Sequence, residues 1–266
     1  MIAWLLIGTL QAAPPAEAPL GPGVSLPMRD PAAAAITTEA VSTPAFWDAA
    51  TITDYDGQRY DQIRLRPLES GYFTLITGEG ESDYDHEIVV DTAFRYQERL
   101  PAIEKSAIDI SILGQGIDPA SGLPYVDTLF FLDFTLFYGI YLQRSYRLDV
   151  DGQTFVFFET LREDFVEPAI WQRYLARRQE AIADAELRWV LNRVVPVQEV
   201  FGTFIVEPGR THATRVSFLV RVQFGEEAGS LAQLAAELPT VLRLGLQSGF
   251  TNCVRIAAEE QARQER

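Results

Sequence analysis

Thr211-His212-Ala213-Thr214-Arg215-Val216-Ser217-Phe218-Leu219-Val220-Arg221-Val222-Gln223-Phe224, with the run from Gly229 to Glu260 behind it, is the most informative stretch of this 266-residue chain. Val216, Phe218, Val220, Val222 and Phe224 alternate with Arg215, Ser217, Arg221 and Gln223, the period of two expected of a half-buried strand. In the run that follows, Leu238, Leu242, Gly245, Gly249, Cys253 and Ile256 recur at helical spacing, and Pro239 stands where a first-turn proline is tolerated. The expected unit is a strand feeding a long helix that buries its stripe by lying back across a sheet. Gly245 and Gly249 sit in the middle of that stripe, and each costs about 1 kcal/mol relative to alanine in a helix interior. Either the space they leave holds a ligand, or a bulky strand side chain approaches the helix backbone there.

Working back from this unit, Leu187 to Val197 and Val200 to Val206 read as strands, and Glu207-Pro208-Gly209-Arg210 as the tight turn into the closing strand. Residues 163–186 read as a helical insertion, with Trp171, Tyr174, Leu175 and Ile182 near one face. Asp151-Gly152 signals a hairpin between the long aromatic segment Pro124 to Val150, where Gly139 marks a bulge or turn, and the returning strand Thr154 to Leu161. Ser106 to Leu113 reads as a strand that Gly114-Gln115-Gly116 ends. Ile88 to Leu100 reads as a helix stopped by Pro101, and Tyr60 to Leu68 with Tyr72 to Thr77 as a hairpin. Thr43-Pro44 is expected to begin a short helix, residues 13–42 to form a Pro/Ala-rich linker, and residues 43–262 to form one domain.

The composition is that of a packed globule, 47% hydrophobic, with a formal charge of −15. Such a balance argues against nucleic acid and against an anionic membrane surface as standing partners. Residues 1–12, an apolar run ending near Gln11-Ala12-Ala13-Pro14, resemble a short secretory signal, too short to span a bilayer, so an exported, periplasmic or extracellular location is expected. The alternative is a start codon placed upstream of the true one. No cysteine follows that run to be acylated. Cys253, the single cysteine, cannot form an internal disulfide and reads as a small buried hydrophobe.

Three segments then carry a resemblance: Phe94-Arg95-Tyr96-Gln97-Glu98-Arg99-Leu100-Pro101, Arg144-Ser145-Tyr146, and Phe201-Gly202-Thr203-Phe204 through Thr211-His212-Ala213-Thr214-Arg215-Val216, with Pro239 at the start of the closing helix. Their order and spacing, over roughly residues 58 to 262, resemble the START-like superfamily, also called SRPBCC or helix-grip domains. The insertion and the leader depart from that pattern. The resemblance implies an α+β fold, a curved antiparallel sheet wrapped around the C-terminal helix, enclosing a cavity that takes an apolar or amphiphilic molecule such as a lipid. No cofactor is expected, and transient membrane contact is expected of such a protein.

Strand parity places Arg144 on one face with Leu142, Tyr146, Leu148 and Val150. A buried guanidinium needs a partner, so Asp133, Glu159 or the polar head of an amphiphile is expected to meet it. Otherwise parity breaks at Gly139, or Arg144 reaches water at the sheet edge. The candidate ligand-binding residues are Phe134, Tyr141, Arg144, Tyr146, Phe157, Phe204, Phe218, Leu242, Gly245 and Gly249. Asp83, Asp85, His86 and Glu87 are the densest group of potential metal ligands, but acid enrichment at a helix start explains them without a metal. With His86 and His212 the only histidines, neither zinc spacing nor a catalytic triad is supported, and no phosphate-binding glycine motif occurs. The expected function is non-catalytic binding of an apolar or amphiphilic molecule. Two alternatives stand beside it: a polyketide cyclase or aromatase in which Arg144, Tyr141 or Tyr146 orients an enolate, and a structural module without a cavity.

Overall fold

The computed structural model describes residues 26–42, 53–55, 58–60, 64–67, 74–95, 107–133, 138–186, 194–209, 213–224, 263–264 and 266. The closing helix expected over 229–260, with Leu242, Gly245 and Gly249, lies outside the described residues, as do Phe134, the leader 1–12 and the short helix expected at Thr43. Three helices are described, α1 (Pro31–Ser42), α2 (His86–Arg95) and α3 (Pro168–Glu186), with a 3-10 turn at Glu163–Phe165. The strands are β1 (Thr53–Tyr55), β2 (Gln58–Tyr60), β3 (Arg64–Pro67), β4 (Thr74–Ser82), β5 (Ala107–Ile117), β6 (Pro124–Asp133), β7 (Tyr138–Val150), β8 (Gln153–Thr160), β9 (Val194–Pro208) and β10 (Thr214–Phe224).

All ten strands join one curved sheet in the order β1-β2-β4-β10-β9-β8-β7-β6-β5, with β3 also on β4. Pairing is antiparallel except where the start of β9 runs parallel to β7, at Tyr138 opposite Val194, just past the point where β8 ends. The β7–β8 hairpin turns on Asp151 and Gly152, whose φ angles of 49° and 81° are the left-handed pair that a two-residue hairpin turn demands. The long aromatic segment breaks into two strands after Asp133 rather than at Gly139, which lies within β7 opposite Leu132.

Pairing register assigns every side chain to one of two faces. Tyr146 faces Phe157 on β8, Phe157 faces Thr203 on β9, and Thr203 faces Leu219 on β10. On this side, the Arg144 face, Leu26, Met28 and Ala33 pack against Tyr146, Phe155, Phe157, Phe201, Ile205 and Leu219. At its other end Val166, Ile170, Tyr174 and Ala181 cover Leu129, Ile140 and Leu142. Burial of such side chains contributes roughly 1.5–3 kcal/mol each relative to exposure, so both ends are genuine core.

Three expectations change here. Residues 26–42 are not linker: Asp30 caps α1 by accepting from the Ala32 and Ala33 amides at 2.8 and 3.3 Å, and Pro31 occupies the first helical position. The β10 strand is buried on both faces, since Ser217 and Arg221 are only 4% and 7% exposed. Arg221 lies over the Phe201 ring, 5.2 Å from its centroid, and meets Glu199 at 3.6 Å. Gly114-Gln115-Gly116 does not end β5 but continues it, beside a register shift at Ile112/Gly114. A Cβ on Gly114 would stand 2.8 Å from Cδ1 of Ile170, the flexible tip of an α3 side chain. Gly114→Ala is therefore expected to cost about 1 kcal/mol in urea unfolding, and most of that returns when Ile170→Val is added.

Candidate functional site

The centre of the Arg144 face is a buried charged network rather than an open cavity. Asp127 and Arg144 stand opposite each other on β6 and β7. Arg144 donates Nε to Asp127 Oδ1 at 2.6 Å and Nη2 to Oδ2 at 2.7 Å, a bidentate bridge, with Nη1 3.5 Å from Asp118 Oδ1. Its guanidinium also stacks 4.0 Å above the centroid of the Tyr125 ring. Arg144 is 4% exposed, so it does not reach water at an edge, and its carboxylate partners are Asp127 and Asp118 rather than Asp133 or Glu159. Burial alone would lower its pKa; the hydrogen bonds from Arg144 to Asp127 reverse this and leave it raised.

The network pins the N-terminal segment. Asp118 Oδ1 also accepts from Arg29 Nη2 at 2.5 Å, and Arg29 Nη1 donates to the Phe165 carbonyl at 2.9 Å. Burial would raise the Asp118 pKa, but Arg29 and the Ser121 amide and hydroxyl more than offset that and hold it lowered. Glu159 accepts the backbone N–H of Arg29 at 2.8 Å and of Asp30 at 3.0 Å, and the Tyr146 hydroxyl at 3.2 Å. Its burial outweighs these bonds and raises its pKa. Burial, then the neighbouring Glu159 charge, raises that of Tyr146. Arg162 closes the set by pairing with Asp30.

The opposite side, the Tyr141 face, has a different chemistry. Phe130 and Tyr141 stack at 5.0 Å between centroids with an interplanar angle of 8°, and Phe158 meets Phe204 at 5.8 Å. Val126, Val206, Val216 and Val220 are buried around them. Between lie three neutral polar side chains, Thr128 directly opposite Gln143, and Ser145 two residues on. The Gln143 amide donates to Ser145 Oγ at 3.3 Å, and Thr128 Oγ1 is buried with no hydrogen-bond partner among the described residues. The charged pair on this face, Arg147 and Asp149 at 3.1 Å, is at the 151–152 end, where Glu87 of α2 also reaches Arg147 at 3.3 Å and His86 lies 3.4 Å from Thr154 Oγ1. Asp85 starts α2, its carboxylate accepting the Glu87 amide at 2.9 Å, which gives the acidic cluster a capping role.

The candidate residues thus fall on two sides of one sheet. Arg144, Tyr146 and Phe157 share the face filled by α1 and α3; Tyr141 and Phe204 share the other, where the register also puts position 218. A single cavity on one side of the sheet cannot be lined by both sets. The neutral trio at Thr128, Gln143 and Ser145 was missed because short polar residues in a strand carry no sequence signal of burial. Among the described residues no group of three or more metal-ligating side chains occurs, and no helix is long and apolar enough to cross a membrane.

No family model and no curated protein matches the chain. Its structure is similar to that of human STARD10, with a TM-score of 0.55 at 9% sequence identity, covering 91% of this chain and 84% of that one. It is also similar to a STAR-related lipid transfer protein from Xanthomonas axonopodis, with a TM-score of 0.51 at 11% identity, covering 78% of this chain and 98% of that one. At these identities the likeness speaks for architecture alone. The chain has an α+β, START-like fold.

Proposed function

We propose that the chain holds an apolar or amphiphilic small molecule, lipid-like in its apolar part, against the Tyr141 face. The observation that carries this reading is the contrast between the two faces. The Arg144 face is filled by α1 and α3 of the chain itself, and its central charges are paired. The Tyr141 face, met by α2 at its 151–152 end, gathers Phe130, Tyr141, Phe158 and Phe204 around neutral polar groups, the mixture of aromatic wall and a few polar anchors that small-molecule sites share. The structural neighbour from Xanthomonas axonopodis is a STAR-related lipid transfer protein, which supports the same reading. Arg144 and Tyr146 are then positioning residues of the scaffold. The cyclase alternative has less support, because these two groups engage Asp127 and Glu159 instead.

Native mass spectrometry of the protein purified from its own host, with solvent extraction of the same sample, tests this. The expected result is a mass increment of one molecule per chain that matches an extractable apolar compound. A bare chain that also takes up no added long-chain compound would overturn the reading. Export remains part of the proposal, resting on the apolar run of residues 1–12; the N-terminal sequence of the mature protein tests it, and a chain still beginning at Met1 would contradict it. Transient membrane contact is proposed as the route of loading.

A further inference from the structure

We propose that the bound molecule presents an uncharged hydroxyl or carbonyl oxygen to Thr128, Gln143 and Ser145, and is therefore a neutral amphiphile, such as a long-chain or polycyclic alcohol or an acylglycerol, rather than an ionised acid or a phosphate ester. This rests on the function proposed above and specifies the ligand of the same site.

Three observations converge on it. Thr128 is 1% exposed, and its hydroxyl has no hydrogen-bond partner among the described residues. A buried hydroxyl without a partner is rare in native proteins and destabilising, so a group that pairs with it is stabilised there. Gln143 stands directly across from it, and Ser145 is two residues along the same face, so three neutral groups meet between the Phe130–Tyr141 stack and the Val126 side chain. Together they offer donors and acceptors but no net charge. The guanidinium and carboxylates near the middle of the sheet, Arg144, Asp127 and Glu159, all lie on the other side of it. Arg147, at the far end of the Tyr141 face, is already met by Asp149 and Glu87. An anionic head buried beside Thr128 would lose its hydration with no cation to compensate, whereas an alcohol or ester oxygen needs only the hydrogen bonds this trio can make.

Three probes of equal chain length separate the possibilities: hexadecanol, hexadecanoate at mildly alkaline pH, and hexadecane, each measured by displacement of a bound fluorescent apolar dye from the full chain. Hexadecanol is expected to bind at least about tenfold more tightly than hexadecanoate, and about three- to tenfold more tightly than hexadecane, the range of one or two neutral hydrogen bonds. Thr128→Val, which keeps the side-chain shape, is expected to erase much of the preference for alcohol over alkane, read as the ratio of hexadecanol to hexadecane affinity within the variant. Ser145→Ala is expected to do the same to a smaller degree. Tighter binding of hexadecanoate than of hexadecanol, or an alcohol preference that survives in both variants, would overturn the proposal while leaving the apolar site intact. Failure of all three probes, hexadecane included, would overturn the site itself and this inference with it.

Discussion

Arg144→Met is expected to lower the unfolding free energy by about 3–5 kcal/mol, the usual cost of removing one partner of a buried ion pair. Asp127 would keep its carboxylate at 0% exposure with its bidentate partner gone. The Tyr125 ring would also lose the guanidinium stacked on it. Most of that penalty belongs to the stranded carboxylate rather than to the net attraction of the pair. The double variant Arg144→Met with Asp127→Leu is therefore expected to recover most of the loss, because an apolar pair of similar volume often matches a buried bridge. Urea unfolding of the two variants and of Asp127→Leu alone checks this as a double-mutant cycle. Equal losses in the Arg144→Met and double variants would mean that the network, with Arg29 and Asp118, holds α1 in place more than it compensates charge.

Gly202→Ala is the second change with a large expected effect, about 3 kcal/mol, at the upper end of overpacking penalties. A Cβ at this position would lie 1.9 Å from the carbonyl oxygen of Leu219 and 2.8 Å from its carbonyl carbon. Both are backbone atoms of β10, and that strand is tied into the ladder on each side by β4 and β9. Nothing there can yield as the Ile170 tip yields to Gly114→Ala. The β9–β10 pairing has to open locally, and amide exchange of β10 should accelerate along with the drop in stability. Loss smaller than about 1 kcal/mol would show that the two strands can separate at Gly202 without disturbing the sheet.

The hairpin at Asp151-Gly152 was legible because local chemistry sets it, a left-handed turn between alternating apolar runs, whereas Leu187 to Val197 and Val200 to Val206, read as two strands, fall on the single strand β9 from Val194. The assignment of faces was not. Alternation divides each strand into two sides but says nothing about which side of one strand continues which side of the next; that is settled by register. Tyr146 and Phe157 share a face with Leu219, whereas Phe204 stands opposite position 218 on the other. The partner of Arg144 was hidden for the same reason. With a turn at Gly139 the count across the hairpin goes astray, while the strands as they stand pair Asp133 with Tyr138, and stepping back along both brings Asp127 to Arg144.

Residues 26–42 were misread for a different reason. Asp30-Pro31 followed by alanines is a helix start in plain sight, a capping carboxylate and a first-turn proline before good helix formers. The weak apolar period of the segment hid it. Its place in the fold comes from tertiary contacts, Glu159 on the amides of Arg29 and Asp30, and Leu26 and Met28 in the core. The proposed ligand trio was invisible until pairing brought Thr128, Gln143 and Ser145 together.

The central claim, that an apolar molecule lies on the Tyr141 face and not on the Arg144 face, is most directly tested by photo-crosslinking. A long-chain alcohol carrying a diazirine in its chain is bound to the protein, irradiated, and its attachment mapped to individual residues by peptide mass spectrometry. The account predicts label on the side of β6 to β9 that bears Phe130, Tyr141, Phe158 and Phe204. Label concentrated on Tyr146, Phe155, Phe157 or the α1 residues packed against them would contradict it.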